Sequence, residues 1–241
     1  MRTPRRFALR WLWAAYSHVY DGLLRLAPYR EMLTGVVTQL ELSDEMQVLD
    51  LGCGTGNGIA AMLEARPIRA TGVDASGPML ARARAKLGAR ARWVEAELGD
   101  FLGTLPARAY DRITAINVLY AIADRAPVWR SCLGALREGG RMVVVIPDRA
   151  GRVPVIRDHV RRRGWRELID ARLACVGLFD WLICALDGSG TVEFPGRSKL
   201  ESEIRAAGGR VLTCQRCYGD SETGIALMWV VAPGEHGAPT P

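Results

Sequence analysis

An acidic, glycine-rich segment is the part of the sequence best suited to chemistry: Asp50 is followed at alternate positions by Gly52, Gly54 and Gly56. Because glycine has no Cβ, a backbone built on such residues can turn tightly and let a ligand come close. The dinucleotide-binding fingerprint would place its third glycine at Asn57, and no Gly-Lys-Ser/Thr of a P-loop follows. An aspartate beside the turn would repel a pyrophosphate, so it favours a ligand that carries an ammonium group.

The elements on either side must place this turn at the edge of a sheet. Residues 46–52 form a short apolar run that ends in glycine, which predicts a buried strand. A helix is predicted at about 58–65, with Pro67 beyond its end. In a doubly wound sheet, a turn between such a strand and helix lies at the carboxyl end of the central strand, where ligands bind.

Strands continue to alternate with helices as far as Pro147. Ser76 can cap a helix whose first turn contains Pro78 and whose end is closed by Gly88. Another helix is predicted near 126–137. Further strands are predicted at 69–74, 91–96, 110–118 and 141–147. This alternation predicts a parallel sheet with helices on both faces.

The segments that flank this alternation are predicted to be largely helical. Apolar residues at intervals of three and four form one stripe, Leu12, Tyr16, Val19, Leu23 and Leu26. We expect Pro28 to end or bend this first helix and a second helix to cover 31–42. The elements predicted after the alternation are a mostly helical segment at 152–186, a helix at 198–207 and paired strands at 210–218 and 223–232.

The glycine-rich segment VLDLGCGTG, residues 48–56, resembles the first motif of the class I S-adenosylmethionine (SAM) methyltransferases. The resemblance covers residues 47–147 well and the last two predicted strands more loosely. It implies an α/β fold with a Rossmann-like, doubly wound, mostly parallel seven-stranded sheet whose last strand is antiparallel. To this core the sequence adds an N-terminal helical lid and a helical cap inserted after the fifth strand.

Five segments make up the domain organisation expected from this resemblance. The lid and the cap would lie on the core, and the cap would bind the methyl acceptor. The segments are the lid at 1–45, the SAM-binding core at 46–148, the cap at 149–197, the C-terminal part of the core sheet at 198–233 and a loose tail at 234–241.

The resemblance implies SAM as the cofactor and S-adenosylhomocysteine (SAH) as its product. Asp74 ends the second predicted strand, where a carboxylate can accept both ribose hydroxyl groups. Glu97 best fits the acidic position near the adenine amino group, and Asn117 belongs to the segment beside the methionine part. Met79 is expected to pack near the adenine, and packing within the helix core is the alternative. The complete set of expected cofactor-binding residues is Asp50, Gly52, Cys53, Gly54, Gly56, Asp74, Ala75, Met79, Glu97, Leu98 and Asn117.

Methyl transfer from a sulfonium is an in-line displacement, for which the protein mainly aligns the reacting groups. A base is needed only when the acceptor arrives protonated, as a phenol, a carbon acid or an ammonium would. Residues able to act as acid or base, or to hold the acceptor, are Tyr16, Tyr20, Tyr120 and His159. Core packing is the alternative for Tyr16 and Tyr20, and surface exposure is the alternative for His159 in its arginine-rich helix.

The acceptor is expected to be a small lipophilic or amphiphilic molecule. Residues 16–33 resemble the approach segment of quinone C-methyltransferases and bacterial phospholipid N-methyltransferases, with Tyr20-Asp21 as the aromatic and acidic pair. The N-terminal helix would line an apolar acceptor pocket together with Phe179 and Trp181 of the cap, although these residues could simply form core. Whether the acceptor atom is N, O or C stays open.

Positive charge is concentrated in two segments of this chain, whose formal net charge is +6. Residues 1–30 carry six arginines against one aspartate, and residues 149–172 carry eight arginines against three acidic residues. Together with Trp11 and Trp13, such segments suit contact with an anionic membrane surface or with an anionic group of the acceptor. A solvated arginine-rich face is the alternative.

Composition limits the classes of protein to which the chain can belong. With 49% hydrophobic and 24% charged residues among 241, the chain is neither disordered nor fibrous. No apolar run approaches the roughly 20 residues needed to span a bilayer, and Arg10 interrupts a start that resembles a twin-arginine signal. Scattered cysteines suggest reduced thiols and a cytoplasmic protein, with peripheral contact at the inner membrane face as an alternative. No metal site is expected, because on a strand Cys214 and Cys217 point to opposite faces.

Two other functions stay open. A nucleic-acid methyltransferase gains support from the pI of about 9.2 and from the run Arg161–Arg163. It loses support because Asn117-Val118-Leu119-Tyr120 stands where an Asn/Asp-Pro-Pro-aromatic motif would be, and because no Pro-Cys nucleophile is present. Nucleic acid is therefore not expected as a partner. A non-methylating, SAM-binding protein on the same fold is the second alternative, and the oligomeric state is open.

Overall fold

A computed structural model describes residues 12–148, 153–164, 178–179, 194–219 and 224–234. Within these residues, seven strands form one sheet: β1 Gln47–Leu51, β2 Arg69–Asp74, β3 Ala91–Glu95, β4 Tyr110–Ile116, β5 Leu136–Pro147, β6 Gly209–Cys217 and β7 Ala226–Pro233. The helices are α1 Ala27–Leu40, α2 Asn57–Ala65, α3 Gly77–Leu87, α4 Leu98–Leu102, α5 Ala126–Ala135, α6 Val153–Arg163 and α7 Arg197–Ala206. Single 3₁₀ turns cover Tyr20–Arg25, Gly88–Arg90 and Leu119–Ala121, and residues 12–17 are also helical.

The strands follow the order β3-β2-β1-β4-β5-β7-β6 across the sheet. Strands β1 to β5 pair in parallel, whereas β7 runs antiparallel to both β5 and β6. Because β1 lies between β2 and β4, the strand order reverses beside the carboxyl end of β1. Ligands bind open α/β sheets at such a reversal. The predicted fold class, a Rossmann-like and mostly parallel seven-stranded sheet with an antiparallel last strand, is confirmed.

The predicted boundary signals of the helix after β2 are also confirmed. The Ser76 hydroxyl accepts a hydrogen bond from the Met79 backbone N–H at 3.5 Å, and Pro78 lies in the first turn of α3. Gly88 follows the last residue of α3 with a φ of +58°. These signals are readable from sequence because they satisfy backbone groups that the helix itself leaves unpaired.

The prediction that Pro28 ends or bends the first helix is wrong. Residues 12–17 are helical, the 3₁₀ turn Tyr20–Arg25 follows, and Pro28 lies in the first turn of α1, which begins at Ala27 rather than Glu31. Proline is tolerated there because the first N–H groups of a helix have no partner within the helix. Proline therefore starts the longer N-terminal helix.

The carboxyl end of α1 is fixed to the sheet by two arginines. Arg112 on β4 donates hydrogen bonds to the backbone carbonyls of Leu40 and Glu41, and Arg141 on β5 donates to the carbonyl of Gln39 at 3.2 Å. Cationic side chains at this position satisfy the last carbonyls and complement the negative end of the helix dipole. The N-terminal segment is therefore anchored to the core strands at the end of α1.

Strand β5 begins earlier than its sequence pattern indicated. It starts at Leu136 rather than Arg141, so α5 ends at Ala135. The pairing of β5 with β4 skips from Leu136 to Arg141, and Gly139 within the skipped residues has a φ of +70°. The residues between the predicted helix and the predicted strand thus form an irregularity inside a longer strand.

Two apolar layers cover the two faces of the sheet. Along β5, Val143 and Val145 belong to the cluster that packs under α1, α2 and α3. Met142, Val144 and Ile146 belong to the cluster under α5 and α7 on the opposite face. Both faces of the central strands are covered, and the carboxyl edge of the sheet lies between these layers.

Only part of the predicted cap can be compared with the structure. Residues 153–163 form α6, which contacts α1 through an ion pair of 2.8 Å between Arg162 and Glu31. Residues 165–177 and 180–193, which include Trp181, lie outside the described residues, as does the tail after 234. Among the helices that are described, none has the length and apolar character needed to cross a bilayer.

Candidate active site

The turn after β1 is built on three glycines with left-handed backbone conformations. Gly52, Gly54 and Gly56 have φ values of +67°, +54° and +79°. A Cβ at Gly52 would come within 2.6 Å of Cγ2 of Val118, which follows β4. A side chain at this position would be excluded both by its backbone conformation and by this contact. The turn therefore lies against the end of β4, at the carboxyl edge where the strand order reverses.

Asp74, at the end of β2, holds the glycine turn in place. Its carboxylate accepts hydrogen bonds from the backbone N–H groups of Gly54 and Ser76, both at 2.8 Å. Burial raises the pKa of Asp74, and these two hydrogen bonds oppose the rise. A carboxylate has further lone pairs, so Asp74 can shape the turn and still accept hydrogen bonds from a ligand.

Asp50 lies deeper, beneath the start of α2. The Thr114 hydroxyl donates a hydrogen bond of 2.7 Å to its carboxylate. Complete burial raises the pKa of Asp50 to about 7, with Thr114 acting against this rise and Asp74 adding to it. Within the described part of the chain, no cationic side chain contacts Asp50. A buried carboxylate of this kind is well placed to attract a cationic ligand group.

A narrow cavity of about 20 Å³ separates the glycine turn from the N-terminal segment. Its walls include Tyr20, Tyr29, Asp50, Gly52, Asn57 and Ile116. This volume is sufficient for about one water molecule. A larger ligand can enter this position only if the covering segment moves.

The covering segment is the 3₁₀ turn Tyr20–Arg25, here called the lid turn. Asp21 accepts a hydrogen bond of 2.6 Å from the Thr55 hydroxyl and forms an ion pair of 2.9 Å with Lys86. Lys86 also donates a hydrogen bond of 2.6 Å to Asn57. These contacts fasten the lid turn to the glycine turn and to α3. The sequence pattern marks Tyr20-Asp21 as a pair but does not indicate a partner for Asp21.

Aromatic rings extend from the lid turn toward the cap. Tyr16 packs edge-on against Tyr20, with ring centroids 5.2 Å apart, and stacks on Phe179 at 5.5 Å. Tyr20 reaches the glycine turn, because its ring lies 3.9 Å from where a Cβ of Gly54 would be. The structure thus brings Tyr16, Tyr20 and Phe179 together, and Tyr16 itself is 1% exposed.

A second aromatic pair lies beside the cavity, because Tyr29 forms part of its wall. The rings of Tyr29 on α1 and Tyr218 after β6 lie 5.9 Å apart. The Asn57 side chain donates a hydrogen bond of 3.4 Å to the Tyr29 hydroxyl, and Asn117 donates one of 2.7 Å to the Tyr218 hydroxyl. Tyr29 and Tyr218 were not expected from the sequence. Their spacing along the chain carries no local signal of this contact.

Tyr120 lies in the 3₁₀ turn that follows β4. Its ring stacks on Phe194, with centroids 6.1 Å apart and planes inclined by 8°. Tyr16, Tyr20, Tyr29, Tyr120 and Tyr218 therefore make ring contacts around the carboxyl edge, which accounts for five of the six tyrosines of the chain. This edge offers apolar ring faces together with phenolic hydroxyls.

His159 faces neither solvent nor the cavity beside the glycine turn. The residue is fully buried on α6, and its Nδ1 accepts a hydrogen bond of 3.2 Å from the backbone N–H of Ala27. This contact satisfies a donor at the start of α1, as a helix-capping side chain does. The structure gives His159 a part in joining α6 to α1, and its role as a base stays a prediction.

The remaining expected cofactor residues surround the ends of β2 and β3. Glu97 is exposed just before α4, and its charge contributes to the raised pKa of Asp74. Glu95 acts on that pKa in the same direction and approaches Gly77, an acidic neighbour that the sequence analysis missed. Cys53 and Met79 are buried, whereas Ala75 is exposed and Leu98 is half-buried.

Known proteins share this arrangement. Residues 49–142, which contain the glycine turn, match the family described as a methyltransferase domain. This match covers less than half of the chain, and over it the chain is a methyltransferase domain. The trans-aconitate 2-methyltransferase of Enterobacter sp. (strain 638) is 33% identical over 137 residues, which cover 56% of this chain and 51% of that protein. The chain spans about half the length of the curated relatives it matches.

Solved structures show the same methyltransferase fold at lower identity. A SAM-dependent methyltransferase from Mesorhizobium loti aligns with a TM-score of 0.57 at 21% identity, covering 82% of this chain and 95% of that one. The [4+2]-cyclase SpnF aligns with a TM-score of 0.59 at 16% identity, covering 86% and 82%. The fold is therefore shared by proteins that are named for different activities.

The residues of this methyltransferase domain fit SAM, the cofactor that the family implies. The glycine turn leaves room that a Cβ would fill, Asp74 presents a carboxylate at the edge, and Asp50 is a buried carboxylate without a cationic partner among the described residues. A ligand with ribose hydroxyls and an ammonium group offers donors to both carboxylates. An acidic edge of this kind is unsuited to a pyrophosphate.

Proposed function

We propose that the protein is an enzyme that transfers the methyl group of SAM to a small-molecule acceptor. The observation that carries this proposal is the meeting of two features at one edge: a glycine turn flanked by Asp50 and Asp74, and the tyrosine rings packed beside it. The glycine turn and its two carboxylates suit the cofactor, and the tyrosine rings suit an acceptor.

Bound SAM supplies an activated methyl group on a sulfonium. The residues of the chain are proposed to bind and orient the reactants: Asp50 attracts a cationic group, Asp74 accepts hydroxyl donors, and the lid turn excludes water. Positioning of this kind can supply several kcal/mol to a displacement reaction. Tyr20 and Tyr120 are the proposed acceptor-holding hydroxyls, because they lie beside the glycine turn and after β4.

The acceptor is proposed to present an apolar or aromatic face. Ring faces dominate the described part of the edge, and two nearby cations are already paired: Lys86 with Asp21, and Arg216 with Asp148. Paired cations offer less to an anionic acceptor than free ones. A lipophilic or amphiphilic acceptor, such as a quinol, therefore leads this proposal. Contact of the two basic segments with an anionic membrane surface would suit such an acceptor.

A polycarboxylate acceptor is the second candidate. It is supported by the relatives that carry the name trans-aconitate 2-methyltransferase and match more than half of this chain. The arginines of α6 would serve such an acceptor, although Arg162 is paired with Asp158 and Glu31. Separate assays distinguish the two candidates.

SAH release from SAM tests the proposal directly. Three sets of acceptors are compared: phenols and quinols dispersed in detergent, trans-aconitate with related polycarboxylates, and total RNA. We expect turnover with the first set, and loss of that turnover in Asp50→Ala. Turnover with polycarboxylates alone would select the second candidate. Tight SAH binding without turnover on any set would favour a non-methylating protein and overturn the proposed activity.

A further inference from the structure

Asn117 and Tyr218 combine a strained backbone with a mutual hydrogen bond. Five non-glycine residues in the described part of the chain have positive φ values, and these two have +54° and +61°. Asparagine adopts this conformation fairly often, whereas a bulky residue such as tyrosine rarely does. Backbone strain persists when surrounding contacts enforce it, and it concentrates at functional sites. Of the five, Asn117 and Tyr218 are the pair whose side chains bond to each other.

This hydrogen bond fixes both ends of the Asn117 amide. Nδ2 donates to the Tyr218 hydroxyl at 2.7 Å, so Oδ1 must point away from that hydroxyl. Oδ1 is buried and has no hydrogen-bond partner among the described residues. Buried polar atoms are almost always satisfied in folded proteins, so an orphaned acceptor indicates a donor that arrives with a ligand or water.

The orphaned oxygen lies next to the proposed cofactor site. Asn117 follows β4 between two residues that touch it: Ile116 lines the cavity, and Val118 packs against Gly52. The backbone N–H of Asn117 bonds to the Val145 carbonyl at 2.8 Å, which ties this position to the rigid sheet. Asn117 is therefore held beside the glycine turn, between two residues that contact the cavity or the turn.

Tyr218 connects this point to the C-terminal hairpin. The residue follows β6, is 5% exposed, and its ring packs against Tyr29, which also lines the cavity. The ring is therefore held in place independently of its hydrogen bond to Asn117. A side chain held in this way can orient a neighbour whose own backbone is strained.

We propose that Tyr218 is a positioning residue that orients the Asn117 side chain, so that Oδ1 accepts a hydrogen bond from the ammonium group of bound SAM or SAH. The inference rests on the proposed function. It assigns a role to the hairpin between β6 and β7, because Tyr218, just after the end of β6, lies 101 positions beyond Asn117 along the chain.

Calorimetric titration of SAH into the full chain and its variants tests this inference. Tyr218→Phe removes the hydroxyl and keeps the packed ring, and we expect SAH to bind about five- to tenfold more weakly. Tyr110→Phe is the matched control, because Tyr110 begins β4 at the opposite end of the strand from Asn117. The control is expected to bind SAH as the wild type does, within about twofold.

A double-mutant cycle separates positioning from a general loss of stability. In the Asn117→Ala background, Tyr218→Phe should change SAH affinity by less than about twofold, because the oriented oxygen is already gone. In steady state, Tyr218→Phe should raise the KM for SAM and leave kcat nearly unchanged.

Three results are decisive. Equal SAH affinity of wild type and Tyr218→Phe would overturn the inference, and so would a lowered melting temperature with unchanged affinity. Fully additive effects in the cycle would overturn it as well. Failure of the wild type to bind SAH would instead contradict the proposed function.

Discussion

The charge of Asp50 depends on what binds beside it. Its pKa is raised to about 7 mainly by burial, so the carboxyl is largely protonated below that pH in the protein without cofactor. A cationic ligand group favours the ionised form and must displace this proton. Binding and ionisation are therefore coupled.

We predict that SAH binds about tenfold more weakly at pH 6 than at pH 8, because below a pKa of about 7 part of the binding energy is used to ionise Asp50. Calorimetric titration across this range measures the effect. The Asp50→Asn variant should bind SAH weakly and show no such pH dependence. The control variant Asp44→Asn changes an exposed carboxylate and should retain the pH dependence of SAH binding. An affinity of the wild type that is flat with pH would show that Asp50 does not titrate on binding.

At the residue scale, the sequence predicts contacts that are local and misses those that are not. Asp50 and the glycines lie within one short segment, and Asp74 ends the adjacent strand, so their meeting follows from the strand order. Lys86 and Tyr29 pair with Asn57 across 29 and 28 positions, and no periodicity reports such a contact. Side-chain networks between elements require the folded chain.

At the element scale, the lid turn lies over the cavity beside the glycine turn. The Asp21 carboxylate joins it to Thr55 and Lys86, and the closed cavity beneath has a volume of only about 20 Å³. We propose that the lid turn moves when the cofactor binds and leaves, because the cavity beneath it holds about one water molecule. On this proposal, the contacts of Asp21 influence the exchange rate of the cofactor.

We predict that Asp21→Asn speeds both association and dissociation of SAH, by roughly threefold each, because a partly exposed ion pair contributes about 1 kcal/mol or less. Stopped-flow fluorescence measures both rates. Glu45→Gln is the matched control, since its ion pair with Arg69 lies at the opposite end of β1. Unchanged rates in Asp21→Asn, or equal changes in both variants, would contradict a gating role.

His159 is an element-scale residue as well, because it joins α6 to α1. His159→Ala leaves the buried Ala27 N–H without its acceptor, and we predict a loss of about 1–3 kcal/mol in the free energy of unfolding. Urea denaturation measures this loss. His159→Asn, which keeps an acceptor near the Nδ1 position, should recover part of the stability.

The same two variants test whether His159 is a base. As a structural residue it should leave kcat within about threefold in His159→Asn. A fall in kcat of a hundredfold or more in His159→Asn, with stability retained, would restore the catalytic role that the sequence suggested.

Element boundaries differ from the sequence pattern where one residue type serves two purposes. Pro28 can end a helix or begin one, and only the preceding 3₁₀ turn decides that it begins α1. The pattern predicts a strand from Arg141, yet β5 also includes Gly139 and Gly140 because Tyr110 already pairs with Leu136. Contacts elsewhere in the fold therefore determine whether a proline ends or begins a helix, and whether a glycine lies in a loop or in a strand, at these positions.

At the scale of the whole molecule, the parallel, doubly wound class of the sheet is predictable because alternating strands and helices permit few topologies. The antiparallel direction of the last strand comes from the family resemblance, and its place between β5 and β6 is a finding of the structure. The cap could not be predicted in detail, because residues 152–186 lack the strand signals that punctuate the core.

The fold alone does not determine the reaction, since the similar SpnF structure is that of a cyclase. The central claim is that this chain moves a methyl group. The most direct measurement is mass spectrometry of acceptors incubated with the full chain and SAM that carries a trideuteriomethyl group. We predict that a quinol or phenol gains the mass of one labelled methyl group, and that Asp50→Ala abolishes this gain. SAM bound without label in any acceptor would contradict the account.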